Sequence, residues 1–170
     1  HPVSIYGAGK LASESLISAY VENFNINAWV FRFGNVVGRE LTHGVIFDFV
    51  NRLRLDPKTL TVFGDGTQSK TYIHVDDCVS GMWHAYKKSP ALDKSVHKER
   101  FQLFNLSTDG QTTVREIAKC TVGAAAPGAS IKYGTASRGW VGDVPKTGLD
   151  VTKIQRLGWT AKRTSHEAVE

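Results

Sequence analysis

Apolar Leu11, Ile17 and Val21 recur near helical spacing, with Ser15 among them and polar Glu14 and Glu22 between, and predict a helix over 6–23. Ser4 is placed to cap it. The run Ala28-Trp29-Val30-Phe31-Arg32-Phe33 is short and rich in β-formers, the pattern of a buried strand. A second helix is predicted over 45–55. Val45, Phe49 and Arg52 share one side of it, Phe47, Val50 and Leu55 fill much of the rest, and Asp56-Pro57 stops it. Thr61-Val62-Phe63 and the segment 69–73 read as two extended pieces around the turn Gly64-Asp65-Gly66-Thr67. Asp76 or Asp77 can cap a helix running through Val79, Met82, Trp83 and Tyr86. Beyond it come a strand over 101–106, a helix from Val114 to about Thr121 and a strand over 131–133. A final short helix, capped by Asp150, ends at Leu157-Gly158-Trp159. Helices and strands alternate, so the expected class is α/β with crossover connections. The strand, Gly-rich turn and helix that open a nucleotide-binding sheet are not found in the chain.

Composition narrows the function classes. The 170 residues include four Trp, five Tyr and eight Phe, enough to bury a core and exclude disorder as the dominant state. No stretch approaches the ~18 consecutive apolar residues of a membrane span. His1-Pro2-Val3-Ser4-Ile5-Tyr6 lacks a charged region followed by an apolar one, so no secretory signal is expected; without an initiator Met, the chain is expected to start inside a longer product. Cys78 and Cys120 lie far apart and form no CxxC, which points to a reducing cytoplasm rather than a disulfide scaffold. The net charge of +5 is spread in short pairs such as Lys87-Lys88, the pattern of solvated helix ends, and no nucleic-acid partner is expected.

Three segments can carry chemistry. Tyr6 and Lys10 stand four apart and project from one helix face. An ammonium near a phenol favours the phenolate, which suits a general base, and can also bind a ribose hydroxyl. A phosphate loop at Gly9-Lys10 is excluded, because Ser4 and Leu11 stand where its first glycine and its hydroxyl residue belong. Arg32-Phe33-Gly34-Asn35-Val36-Val37-Gly38 follows a strand to its carboxyl end, where open α/β sheets bind ligands, although Asn and Gly there also make an ordinary turn. In the segment 62–77, Lys70 can pair with a phosphate and Phe63 can stack on a base. His74, Asp76, Asp77 and Cys78 together suggest a metal, but two Asp at a helix start are caps, and no metal site is expected.

The order and spacing of six motifs add a resemblance. Tyr6-Gly-x-x-Lys10-x-x-x-Glu14, Arg32-x-x-Asn35-x-x-Gly38, Gly64-Asp65-Gly66-x-Gln68, Tyr72-Ile73-His74-Val75-Asp76-Asp77, Gly142-Asp143-Val144 and Leu157-Gly158-Trp159 follow one another along nearly the whole chain. In this the chain resembles the carboxyl-terminal half of the extended short-chain dehydrogenase/reductases, specifically the NAD-dependent nucleotide-sugar epimerases and dehydratases. The resemblance implies the C-terminal part of a doubly wound Rossmann-type sheet plus a small mixed α/β substrate-binding subdomain, the cofactor-binding half lying before residue 1. Residues 1–38 would close the Rossmann-type domain, and 39–170 would form the nucleotide-sugar subdomain, with a return strand of the main sheet near 101–106.

The same resemblance implies roles for individual residues. Tyr6 would be the catalytic base, with Lys10 its partner on the nicotinamide ribose, and Phe33 would line the nicotinamide pocket. Asn35 would contact the sugar diphosphate, Gly44 and Val45 would offer backbone amides, and Val62 and Phe63 would wall the base. Lys70 would clamp the diphosphate, with Arg138 as a second clamp. Lys70-Thr71 departs from the usual Arg-Asp, and Arg39 stands where Pro often follows the glycine. The implied reaction is UDP-glucose/UDP-galactose 4-epimerisation with NAD, in a homo-oligomer. Nucleotide-sugar 4,6-dehydration is the enzymatic alternative. A sugar-nucleotide-binding fragment without activity of its own is the alternative of another class.

Overall fold

The computed structural model describes residues 2, 4–89, 100–136 and 148–170. Among these residues fourteen elements follow one another: α1 (Ile5–Phe24), β1 (Ala28–Phe33), β2 (Asn35–Val37), α2 (Val45–Leu55), β3 (Thr59–Val62), β4 (Ser69–Lys70), β5 (Tyr72–His74), α3 (Val75–Lys88), β6 (Phe101–Leu106), β7 (Thr112–Thr113), α4 (Val114–Ala125), β8 (Ser130–Tyr133), α5 (Thr152–Gln155) and α6 (Ser165–Val169). The class is α/β, as the alternating pattern predicts. Among the described residues the strands form four two-stranded ladders: β1 with β6, β2 with β5 and β3 with β8 are parallel, and β4 with β7 is antiparallel. The long ladder runs from Ala28 opposite Phe101 to Phe33 opposite Leu106.

Two hydrophobic cores meet at β5. Tyr72 packs with Val37, Phe49, Leu53, Leu60 and Ile117, whereas Ile73 packs with Phe104, Leu106, Ile154 and Trp159. Successive side chains of a strand point to opposite faces, so one three-residue strand serves both cores. Its neighbour does the same: Val37 joins the first core, and Val36 packs against the second. Gly81 lets α3 close on Trp159, since a Cβ there would lie 2.9 Å from Trp159 Cζ2 and 3.0 Å from Leu106 Cδ2. Trp159 Nε1 donates to Ser80 Oγ at 2.9 Å.

α1 is held differently. Ser4 caps it, its Oγ accepting from Gly7 N at 3.0 Å. Val21 is its one buried side chain, while Leu16, Tyr20 and Phe24 are exposed. Trp29 on the next strand is half-buried, donating from Nε1 to Ser89 Oγ at 2.7 Å and meeting Tyr86 edge-on at 4.9 Å. Among the described residues no helix is long and apolar enough to cross a membrane.

Several local expectations change. The extended pieces around Gly64-Asp65-Gly66 are found, as β3 on one side and β4 and β5 on the other, and they take β8, β7 and β2 as partners rather than each other. His74, not Asp76 or Asp77, caps α3, its Nδ1 accepting from Asp76 N at 3.2 Å. Residues 35–37, which also fitted a turn, form β2. Val151 is the cap residue of α5, although Asp150 Oδ1 accepts from Thr152 N at 2.9 Å just before it. The sequence reading ends before α6, which Thr164 and Glu167 open with a capping box. Ser165 on α6 accepts from Tyr72 N at 3.0 Å, tying that helix to β5.

Candidate functional site

The site begins where the chain changes ladders. Gly34 N donates to Leu106 O at 2.9 Å, and the next amide, Asn35 N, donates to Thr71 O at 2.9 Å. Within two residues the backbone leaves β6 and joins β5. Where neighbouring strands part at their carboxyl ends a crevice opens, the usual ligand position in α/β sheets. Gly34 fits the junction because a Cβ would lie 3.1 Å from Thr71 O and 3.2 Å from Ser107 Oγ.

One side of the crevice is a cavity of about 420 Å³ lined by Asn35, Gly44, Val45, Val62, Phe63 and Lys70, among others. Gly44 has φ +94°, a conformation that favours glycine, and gives α2 a start without a side-chain cap. The first amides of a helix have no intrahelical partners and favour an anion. Val62 closes β3 inside the first core, and Phe63 follows it with its ring 62% exposed. The turn beyond is pinned by Asp65, whose Oδ1 accepts from Thr67 N at 2.9 Å and from Thr67 Oγ1 at 2.7 Å. Those bonds hold its carboxyl below the usual range. Arg115 Nε donates to Asp65 O at 2.8 Å and its guanidinium lies 4.3 Å over the Tyr133 ring.

The other side is a cavity of about 850 Å³ lined by Tyr6, Lys10, Glu14, Arg32 and Phe33, again with Asn35. Tyr6, Lys10 and Glu14 stand at successive turns of α1, with Lys10 Nζ 5.4 Å from the Tyr6 ring centroid. Tyr6 is 76% exposed. Arg32 joins α1 to β1: its Nε donates to Glu14 Oε1 at 2.8 Å and its Nη2 to Glu14 Oε2 at 2.5 Å. This fork holds the Glu14 carboxyl below its ordinary range and the guanidinium above its own. Asn35 therefore borders both cavities, and the sequence-read residues fall into two groups about it.

Arg138 and Gly142-Asp143-Val144 lie outside the described residues. Asp77 is nearly fully buried and accepts from Arg163, from the backbone N and from Nη1, both at 3.3 Å. The residue that sequence reasoning missed is Arg52. Its guanidinium sits 3.9 Å over the Phe63 ring and lines the smaller cavity. The signal was a cation on the apolar stripe of Val45 and Phe49, a position that calls for a partner.

The residues present fit one end of a dinucleotide. An exposed phenol and ammonium one turn apart beside Phe33 suit a ribose hydroxyl and a flat ring, while no Gly-rich turn for a pyrophosphate occurs in the 170 residues.

Comparison with known proteins speaks to family and fold. The model of the NAD dependent epimerase/dehydratase family matches residues 1–102. UDP-glucose 4-epimerase of Mycolicibacterium smegmatis is 30% identical over 164 residues, 94% of this chain and 48% of that protein. UDP-glucuronic acid decarboxylase 2 of Arabidopsis thaliana is 30% identical over 164 residues, 94% of this chain and 34% of that protein. A solved UDP-galactose 4-epimerase has a TM-score of 0.82 at 34% identity, covering 99% of this chain and 52% of its own. The chain thus spans about half, or less, of the proteins it matches.

Proposed function

The chain belongs to the NAD dependent epimerase/dehydratase family, and from that premise we propose that it supplies the sugar-nucleotide side and the Tyr–Lys wall of a UDP-glucose/UDP-galactose 4-epimerase. The observation that carries this reading is the position of Asn35 between two cavities, one with an anion-favouring helix start and an exposed aromatic ring, the other with Tyr6 and Lys10. A UDP-hexose laid across that junction puts its uracil toward Val62 and Phe63. Its diphosphate lies toward Lys70 and the start of α2, and its sugar reaches the Tyr6 side.

NAD, when bound, supplies an acceptor for the C4 hydride and a donor that returns it. Tyr6 Oη takes the proton of the C4 hydroxyl and later returns it to the same oxygen, once the 4-keto sugar has presented the other face of C4 for re-reduction. The Lys10 ammonium, one turn on from Tyr6, holds a ribose hydroxyl. Phe33 shields the reacting face from water.

A second reading has its own support. Asn35, Gly44, Val45, Val62, Phe63 and Lys70 line the smaller cavity together with Tyr72 and Val114, all within this chain, so sugar-nucleotide binding there needs no Gly-rich turn. This is the chain acting as a binding module.

A thermal-shift titration with UDP, UDP-glucose, dTDP-glucose and NAD tests both. A ligand that binds only the native state adds about 2.7 kcal/mol at a hundred times its dissociation constant. Stabilisation by UDP-glucose and NAD, with conversion of UDP-galactose to UDP-glucose, supports the epimerase. In that case Tyr6→Phe lowers turnover by orders of magnitude and leaves binding nearly intact; unchanged turnover overturns the role of Tyr6. Stabilisation by UDP-glucose alone supports the binding module, and a 4-keto-6-deoxy product would mean dehydration instead. No stabilisation by any nucleotide overturns both. The exposed apolar positions of α1 also favour self-association, and a monomer by light scattering at micromolar concentration would contradict it.

A further inference from the structure

The geometry points to Arg52 as a positioning residue for base recognition, a role that rests on the sugar-nucleotide reading above and deepens it. Phe63 directly follows β3 and is 62% exposed, on the approach to a glycine turn. A ring so placed is free to rotate unless something holds it. Arg52 holds it. From the third turn of α2 its guanidinium lies 3.9 Å from the Phe63 centroid, and its Nη1 donates to Thr61 O at 2.7 Å. Thr61 lies in β3 two residues before Phe63, so the cation is locked to the backbone that leads into the ring.

A guanidinium is planar and weakly hydrated, and it stacks on an aromatic face where an ammonium rests as a point charge. It therefore covers one face of Phe63 and leaves the other to a planar ligand. Both residues line the 420 Å³ cavity, together with Gly44 and Lys70. A base that stacks on an already fixed ring loses less affinity to ordering than one that must immobilise it. Phe63 is the platform and Arg52 is what makes it rigid.

The test compares UDP with ribose 5-diphosphate, which lacks the base, by equilibrium titration of the 170-residue chain and its variants. Arg52→Lys keeps the charge and loses the plane; Arg52→Met keeps the stem and loses both. Each variant should bind UDP about five- to tenfold more weakly, within the range of one base–aromatic stack, and ribose 5-diphosphate about as tightly as before. Phe63→Leu should show the same selective loss, and adding Arg52→Lys to it should cost nothing more, because Arg52 acts through the ring. Thermal melting of each variant confirms that the fold is intact.

Unchanged UDP affinity in both Arg52 variants overturns the role. So does a parallel loss of ribose 5-diphosphate, which would make Arg52 a phosphate contact, or additive losses in the double variant. A wild-type chain that binds neither probe overturns the sugar-nucleotide reading itself and this role with it, an outcome visible before any variant is made.

Discussion

Replacing Glu14 by Gln removes the charge that ties α1 to β1 while keeping the shape of the side chain. Two things dock this helix on the described fold: burial of Val21, which is 1% exposed, and the fork from Arg32 to Glu14. Burying a valine contributes about 1.5–3 kcal/mol. The ion pair is partly wet, with Arg32 46% and Glu14 18% exposed, so solvent screening limits it to about 0.5–1 kcal/mol, the upper end for bidentate geometry. Glu14→Gln thus removes a sizeable share of the docking. A loss of about 1 kcal/mol multiplies a local opening equilibrium roughly fivefold. Hydrogen exchange should show that acceleration in the α1 amides, with the amides of β1 and β6 unchanged.

Acidification supplies a second reading of the same pair. The fork lowers the folded-state value of Glu14, so its stabilisation is complete above the unfolded carboxyl value of about 4.3 and is lost as pH falls through the lower folded value. Wild-type α1 should loosen in that acid window, and Glu14→Gln should have no such step. Equal protection of α1 in both proteins at neutral pH would refute the tether, as would acceleration spread evenly over the whole chain.

Gly81→Ala forces a methyl against Trp159 and Leu106, both buried, and should cost about 1–3 kcal/mol, read as a melting midpoint lower by several degrees and a changed Trp emission. Gly34→Ala presses on Thr71 O, which already accepts from Asn35 N, so nucleotide-sugar affinity in a titration should fall by a larger factor than the folding equilibrium does. On the proposed reading, in which the ammonium serves the diphosphate, Lys70→Ala should weaken UDP by calorimetry and leave uridine unchanged.

Elements whose apolar period is complete within themselves were legible. β1, α2 and β6 fall on the predicted bounds, and Ser4 caps α1 as its hydroxyl suggests. What escaped depends on distant partners. β2 is three residues long and is a strand because β5 lies beside it. α6 is one turn, and the capping pattern Thr164-x-x-Glu167 was the available clue. At the site, motif residues converge on the two cavities, but Arg52 belongs to no motif. Its role appears only when α2 lies against β3, which brings the guanidinium over a ring eleven residues further along the chain.

The two sides of Asn35 are not equally anchored, and this orders their dependence on the rest of the fold. β2 and β5 send side chains into both cores, so a shift at Asn35 would disturb two sets of buried contacts at once. The smaller cavity inherits that rigidity through Val62 and Tyr72, both in the first core. The Tyr6 side inherits little of it, because α1 rests on Val21 and one ion pair and leaves Leu16, Tyr20 and Phe24 in water. On the proposed reading, sugar-nucleotide binding draws on the rigid side, whereas proton transfer requires Tyr6 to be held to within a fraction of an ångström. Cover over the exposed apolar positions of α1 would then raise turnover far more than affinity. Loss of the Glu14 tether would do the reverse, lowering turnover while the nucleotide remains bound.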